Sequence, residues 1–516
     1  MALRSLHGIR PSLGYIKPPL HTYLNHLLVI WPVDVAQALA DRLTKQAHKF
    51  NELKLLGSRV VVSAMFLGIV ALIYAIALRA FGRAPARVLA LVAASSAGIV
   101  TYAHFLTCDV PLVFWMMLVF FFAQRITESG AAKNYLLAGF ITGIATATKY
   151  NGLAIGFSIV VAHLLSSNYR GIRQALFDRR LVGAIAMIPV GFLVGNPCAL
   201  LDRKQFVADF MYGYVVTPRY GGQSGVGYAS FLSRLPEVIG WPVTIVVSIA
   251  VIASIAIVIA RRDLTTPAAR CLLLALGVFL LYFAKIGSFP RVETRFVLPI
   301  IPLLLLMAGP TLHLYASRPK ILGLLLVPLL AYNAVCAWLV GQRFNDDPRL
   351  AAQEWVLAHV PPGSRIESSH DSPHWARLSG FDAADVRADN PKWEQPSGHA
   401  ILDLRMGHLN GRAEQFEKMF VGNRWVENSA ARYEGDPDQA LFTRAERARR
   451  NPDFVAAHSS DYEVPSEIAR SYYAELIEER ANYTIVFDGR QPAAPTWAYP
   501  GVIDFVGGRM TILARR

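Results

Sequence analysis

"TATKYNGL", residues 146–153, lies where two apolar runs meet, 135–148 and 152–165, and its reading decides the fold. Taken as the middle of one long helix, it sends the Arg170, Arg173, Arg179 and Arg180 cluster to the opposite side of a membrane from the other basic loops. Taken as a turn broken at Lys-Tyr-Asn-Gly, it closes a hairpin and returns every basic loop to one side. Cationic loops stay on the cytoplasmic side, so the charge pattern selects the hairpin.

The membrane itself follows from the runs around this turn. Uncharged or nearly uncharged stretches fall at 59–79, 88–105, 110–124, 135–148, 152–165, 181–199, 239–260, 269–285, 296–315 and 321–341. Several approach the ~20 residues that span a bilayer. Hydrophobic residues make up 53% of the 516, charged residues only 17%, and mean hydropathy is +0.34. A soluble domain carries about 25% charged residues. The sequence therefore predicts a polytopic all-α membrane bundle of about ten spans over 59–341. A segment 1–58 with a Lys-Pro-Pro turn precedes it on the outer interface, and a small soluble α/β domain over 342–516 follows.

The net charge of +14 does not point to nucleic acid. Its arginines and lysines cluster between apolar runs, with Arg79, Arg83 and Arg87, Arg125 and Lys133, Arg261, Arg262 and Arg270, and Arg318 and Lys320. Positive-inside topology accounts for them. The opposite face then receives Thr107 to Asp109, Lys149, the loop 200–238, the loop "KIGSFPRVETR" (285–295), the Lys17-Pro18-Pro19 turn and the C-terminal domain. Residues 1–20 lack the apolar core of a secretory signal. The parity of the spans nevertheless places the N-terminus outside, so a further spanning segment is expected ahead of Met1.

Polar residues at these outer borders are the candidates for chemistry. Asp109, in "YAHFLTCDVPLVFW" (102–115), opens an apolar helix, where an acid either caps free N–H groups or does functional work. Arg291, Glu293 and Arg295 precede a span in "FPRVETRFVLPIIP" (289–302), and two guanidiniums suit a phosphate held by charge-assisted bonds. Interfacial anchoring to lipid headgroups is the plainer role for each. Lys149 meets the same anion or snorkels. "YGGQSGVGY" (220–228) is not a Walker loop and reads as a lid or a connector. His370, Asp371 and His374 in "HDSPH" are spaced for a metal but sit in a short Pro-containing loop. No metal site is expected. The cysteines Cys108, Cys198, Cys271 and Cys336 read as small buried hydrophobes, with a Cys108–Cys198 bridge as the alternative. In the tail, a helix carrying Ala351, Trp355 and Val356, strands at 400–405, 453–459, "YTIVFDG" and "RMTILARR", and a helix at 466–480 outline the α/β domain.

Five stretches now stand in a telling order: "IKPPLHTYL" (16–24), "HFLTCDVPLVFW" (104–115), "GFITGIATATKYNGL" (139–153), "NPCALLDRKQFVADF" (196–210) and "RVETRFVLPIIPLLLLMAG" (291–309). This order resembles the glycosyltransferase 39 family, which includes protein O-mannosyltransferases and bacterial aminoarabinose transferases of lipid A. The resemblance covers residues 12–341. It implies a GT-C membrane enzyme of the bacterial inner membrane that moves a sugar from a polyprenyl-phosphate donor to an acceptor outside the cytoplasm. A lipid, a glycan or a protein all fit as the acceptor. By the same resemblance Lys17, Lys149, Arg291 and Arg295 bind the donor phosphate, and Asp109 matches the family's second outer-loop acid, the catalytic candidate in this chain.

The sequence departs from its relatives at the front. The family's leading acid follows a first helix, in an Asp-Glu pair ahead of the Lys-Pro-Pro turn, whereas residues 1–16 hold no Asp or Glu. The residue before Lys17 is Ile16 where aminoarabinose transferases carry an acid, so a metal site built on that acid is not expected. Either Met1 is internal to a longer protein or the chain is a shortened paralogue that binds lipid-linked sugar without transferring it. A transporter or flippase of a lipid-linked anion is the rival from another class. It would place polar residues near the midplane and show internal repeats.

Overall fold

The computed structural model describes residues 18–44, 51–166, 172–204, 206–207, 210–211, 226–290, 292–361, 364–368, 392–394, 400–403, 444–459, 467–478, 482–491 and 508–516. Lys17, Arg291, the "HDSPH" loop and residues 220–225 lie outside them. Two compact units divide the chain, Met1–Val340 with Pro495–Val502, and Gly341–Ala494 with Ile503–Arg516.

Unit 1 is helical. Behind Pro18 and Pro19 comes α1 (Leu20–Asn25), which passes through a π-helical turn, His26–Ile30, into α2 (Trp31–Thr44). Then follow α3 (Asn51–Phe81), α4 (Arg83–Ser95), α5 (Ala97–His104), α6 (Asp109–Ser129), α7 (Ala132–Thr148), α8 (Phe157–Ser166) and α9 (Arg179–Gly195). After them come α10 (Leu235–Ile239), α11 (Trp241–Arg261), α12 (Pro267–Gly287), α13 (Thr294–Tyr315) and α14 (Pro319–Asn345).

By length and composition, six helices among the described residues can cross a membrane, or seven if the pair α4 and α5, bent by 53°, counts as one. About ten spans were expected from hydropathy, and the difference has a physical source. The runs 135–148 and 181–199 form helices of 17 residues each, about 25 Å at 1.5 Å per residue, short of a ~30 Å hydrocarbon core. The run 152–165 begins in a 3-10 turn (Tyr150–Gly156) and has only 10 α-helical residues. Hydropathy reports composition, not where a helix breaks.

The hairpin at 149–152 is present. Lys149 leaves the helix with an extended backbone, φ −159° and ψ 134°. Its N–H still donates to the Ala145 carbonyl, and its own carbonyl accepts from Gly152 N–H at 2.8 Å. The returning chain runs back along α7: Gly152 lies on the Ala145 backbone, and a Cβ at Gly156 would sit 3.1 Å from the Thr142 methyl.

Close approach of α7 to α9 depends on "GFITG" (139–143). A side chain at Gly139 would strike the Ala184 carbonyl, and one at Gly143 the Ile188 carbonyl. Small residues four apart let helix backbones meet where apolar lipid gives no hydrophobic drive to associate. Polar ties join other helix pairs: α7 to α8 through the Tyr135 hydroxyl and His163 Nδ1 at 2.8 Å, α6 to α3 through Gln124 Nε2 donating to the Ile76 carbonyl at 3.1 Å, and α11 to α13 through Ser254 and Thr311 at 2.8 Å.

All four cysteines are free thiols, three of them buried. The alternative of a Cys108–Cys198 bridge is therefore not realised; Cys198 Sγ accepts from the Tyr23 hydroxyl at 3.4 Å instead.

Unit 2 is α/β. Its sheet has the order β2-β3-β1-β4-β6-β5, with β1 (Arg365–Ser368), β2 (Lys392–Glu394), β3 (Ala400–Asp403), β4 (Phe454–His458), β5 (Tyr483–Arg490) and β6 (Arg509–Arg515). Strands β3, β1 and β4 are parallel, the other pairs antiparallel. Alternation along the strands feeds two cores. Ala456 and Ile512 join Ala352 and Val356 of α15 (Pro348–His359), whereas Val455, Ala457 and Leu513 join Tyr472, Tyr473 and Leu476 of α17 (Glu467–Ile477), which follows α16 (Arg444–Arg450) in the chain.

Candidate functional site

The site is built where helix ends meet. Asp109 is the first residue of α6 and is buried, with 4% of its side chain exposed. The N-cap position is Cys108, whose side chain makes no cap bond. Asp109 Oδ1 accepts from Lys149 Nζ at 2.7 Å. The extended backbone at Lys149 makes this possible, because the break releases the side chain from the α7 axis.

A third element completes the cluster. Lys149 Nζ stands 5.2 Å from the centre of the Phe296 ring, and Arg295 Cζ stands 5.6 Å from the same ring. Phe296 thus serves two cations, an arrangement in which the ring quadrupole offsets part of their mutual repulsion. Arg295 Nη2 also pairs with Glu293 Oε2 at 2.5 Å, while its buried Nε has no partner among the described residues. One helix start is held from behind: the Thr294 hydroxyl donates to Glu237 of α10, whose other oxygen accepts from Arg234 at 2.6 Å.

Beside this cluster lie Tyr102, buried at the end of α5, and Tyr282, buried in α12, whose hydroxyl accepts from Asn151 Nδ2 at 3.5 Å. His21 in α1 is also close enough to feel the charge of Asp109. Burial lowers its imidazole to about 4, against which Asp109 pulls upward. It is therefore neutral at physiological pH.

The structure brings together three of the five residues singled out from sequence, Asp109, Lys149 and Arg295. Lys17 and Arg291 lie outside the described residues. Sequence reasoning missed Phe296, Glu237 and His21. Phe296 stood inside a quoted motif, yet an aromatic among aliphatics carries no mark of a cation platform. Among the described residues no group of three or more His, Cys, Asp or Glu side chains is placed to hold a metal ion.

Comparison with known proteins finds relatives of part of the sequence and of the fold. Residues 49–193 match the family described as dolichyl-phosphate-mannose-protein mannosyltransferase. That stretch contains Asp109 and Lys149. The fold is similar to that of ArnT from Cupriavidus metallidurans in the apo state, with TM-score 0.51 and 14% identity, covering 97% of this chain and 88% of that one. A second crystal structure of the same ArnT, bound to undecaprenyl phosphate, matches with TM-score 0.47 and 13% identity over 97% and 88% of the two chains. The Archaeoglobus fulgidus oligosaccharyltransferase AglB, in complex with an inhibitory peptide and a dolichol-phosphate, matches with TM-score 0.46 and 10% identity, over 93% of this chain and 72% of that one. No curated protein matches. The family model covers residues 49–193 only, and the likeness to ArnT is a likeness of fold. The chain is a multi-pass membrane protein with a small α/β portion.

Proposed function

We propose that the chain transfers a hexosyl or pentosyl group from a polyprenyl-phosphate-linked donor to an acceptor on the non-cytoplasmic face of a bacterial inner membrane. The observation that carries this reading is the cluster of buried Asp109 with part-buried Lys149 and Arg295 around Phe296 at the ends of α6, α7 and α13. Lys149 is paired with Asp109 and Arg295 with Glu293, so these four charges balance, and a lipid phosphate would be held by the donors that each cation keeps beyond its carboxylate contact. The undecaprenyl phosphate bound to ArnT supports a donor of this kind.

In the reaction, the bond from the anomeric carbon to the phosphate oxygen breaks and a bond to the acceptor oxygen or nitrogen forms. The acceptor gives its proton to a base, and the polyprenyl phosphate leaves with the negative charge. Lys149 and Arg295, with Lys17 and Arg291 as further donors, stabilise that charge as it develops. A carboxylate fixed on an ammonium at 2.7 Å is a poor base, since its charged form is the favoured one. We therefore assign Asp109 to positioning Lys149 rather than to proton abstraction. Residues 1–58 form the outer interfacial segment, 59–341 the bundle, and 342–516 an extracytoplasmic domain. The acceptor belongs to the class of lipids, glycans or proteins.

The test is transfer by the full chain in proteoliposomes, supplied with polyprenyl-phosphate-linked mannose, glucose or 4-amino-4-deoxyarabinose and extracts of membrane lipid and protein. Sugar appearing on an acceptor, and lost in Arg295→Ala, is the expected result. Movement of the intact lipid-linked sugar across the bilayer without its consumption would establish a flippase instead.

A further inference from the structure

Helix α1 carries a polar pair that the phosphate cluster does not use. His21 and Asn25 stand one turn apart, are 7% and 8% exposed, and meet at 3.0 Å between Nε2 and Nδ2. An amide N–H is a donor, so with this amide orientation His21 Nε2 accepts and the ring proton sits on Nδ1. Both remaining atoms, His21 Nδ1 and Asn25 Oδ1, are buried without a partner among the described residues. One is a donor and the other an acceptor, and the neutral imidazole leaves the pair without charge. That set is complementary to a hydroxyl, which accepts once and donates once.

Two further observations converge on the same helix. The chain beyond Asn25 forms a π-helical turn, His26–Ile30, a feature found mostly as single turns at functional sites. At the far end of α9 the helix stops at Asn196, fully buried, whose amide oxygen and nitrogen both lack partners among the described residues. The residue before it, Gly195, abuts α1: a Cβ there would lie 3.3 Å from the Leu20 side chain. A buried polar atom left unmade costs about 1–3 kcal/mol, so four in one neighbourhood require an occupant.

We propose that His21, Asn25 and Asn196 form a hydroxyl-binding subsite that recognises the sugar ring of the donor and selects an uncharged polyhydroxyl sugar. This inference rests on the transferase reading. Leu20, next to His21, packs on Ile144 and Ala147 of α7, two residues short of Lys149, which puts the subsite beside the phosphate cluster, where a sugar attached to that phosphate must lie. The three side chains hold hydroxyls and contribute no charge to an ammonium.

The experiment compares binding of bare undecaprenyl phosphate with binding of the same lipid carrying mannose or 4-amino-4-deoxyarabinose, by the full chain in detergent. Wild type is expected to hold the mannosyl lipid about tenfold more tightly than the bare lipid, the worth of one or two net hydrogen bonds. Asn25→Ser, Asn196→Ser and His21→Phe are each expected to erase that preference while leaving bare-lipid affinity unchanged. Equal affinity of wild type for mannosyl and bare lipid, or a preference that survives all three substitutions, would show that the cluster holds water only. Loss of bare-lipid binding in the variants would reduce the three residues to a structural role. Failure of wild type to bind any of these lipids would remove the transferase reading itself, and the subsite with it.

Discussion

Lys149 Nζ lies 2.7 Å from Asp109 Oδ1, across 40 residues of sequence and between the ends of two helices. The side chains are 16% and 4% exposed, so Asp109 is withdrawn from water and Lys149 keeps only a small exposed area. Such a pair is weak as a source of net stability, because both ions were desolvated to form it. Removal of one partner is another matter, since it strands the other.

Single substitutions at this pair are therefore expected to be worse than the double. Lys149→Met or Asp109→Leu alone should destabilise by about 3–5 kcal/mol, and the Lys149→Met/Asp109→Leu double variant should recover most of that loss. Thermal melting of the four proteins in one detergent reads the coupling directly. Additive losses would mean that the two charges do not act together. Sugar transfer should be absent from all three variants.

Glu293 holds Arg295 at 2.5 Å, and Glu237 holds the Thr294 hydroxyl at the same helix start. Glu293→Gln should leave the guanidinium charged but loosely placed. Polyprenyl-phosphate binding is expected to weaken about tenfold, near the 1.5–3 kcal/mol of a charge-assisted hydrogen bond. Arg295→Lys should weaken it as well, because an ammonium lacks the planar fork. Titration of the bare lipid against both variants checks this.

His21 gives the folded protein a defined response to acid. Its imidazole is lowered to about 4, chiefly by burial, so between pH 6.5 and 4 the unfolded chain binds the proton and the folded chain does not. Stability thus rises with pH across that window and is lost on acidification through it. The full swing is about 3 kcal/mol for a shift of this size. The measurement is the difference in melting temperature between wild type and His21→Gln at pH 7.5 and pH 4.5. That difference should change with pH in favour of the variant on the acid side; a constant difference would place the imidazole in water.

Helix packing offers a contrast between glycines. Gly143 faces the Ile188 carbonyl and has no room for a Cβ, whereas nothing lies within 4 Å of the position a Cβ would take at Gly323 in α14. Gly143→Ala should force α7 and α9 apart and destabilise by about 1–3 kcal/mol. Gly323→Ala should be neutral or stabilise by up to about 1 kcal/mol through helix propensity. Melting temperatures of the two variants test the pair, and equal effects would remove the close α7–α9 contact as an explanation.

Much of the fold was legible in the chain. The apolar runs gave a membrane bundle, basic loops chose the hairpin at "KYNG", and the tail's alternation gave strands where β4, β5 and β6 stand. These features are local: periodicity, turn chemistry and charge are written in a window of a few residues. Strands β1 and β2 escaped, having four and three residues, whereas the equally short β3 lies in the longer strand-like stretch "AILDLR" (400–405).

Only the tertiary structure decided that Lys149 meets Asp109. Its sequence allowed an anion ligand or a snorkelling side chain, and Asp109 allowed a helix cap or a functional acid. The choice was made by where α6 and α7 end against each other, which depends on glycines, helix breaks and packing spread over the whole bundle. The same holds for Phe296 under two cations and for the unpartnered His21 and Asn25. The chain determined by itself which residues sit at membrane borders, because burial of apolar length is an additive, local quantity. It did not determine which of them meet, because a contact between distant residues is fixed by the relative placement of helices, and no single helix encodes that.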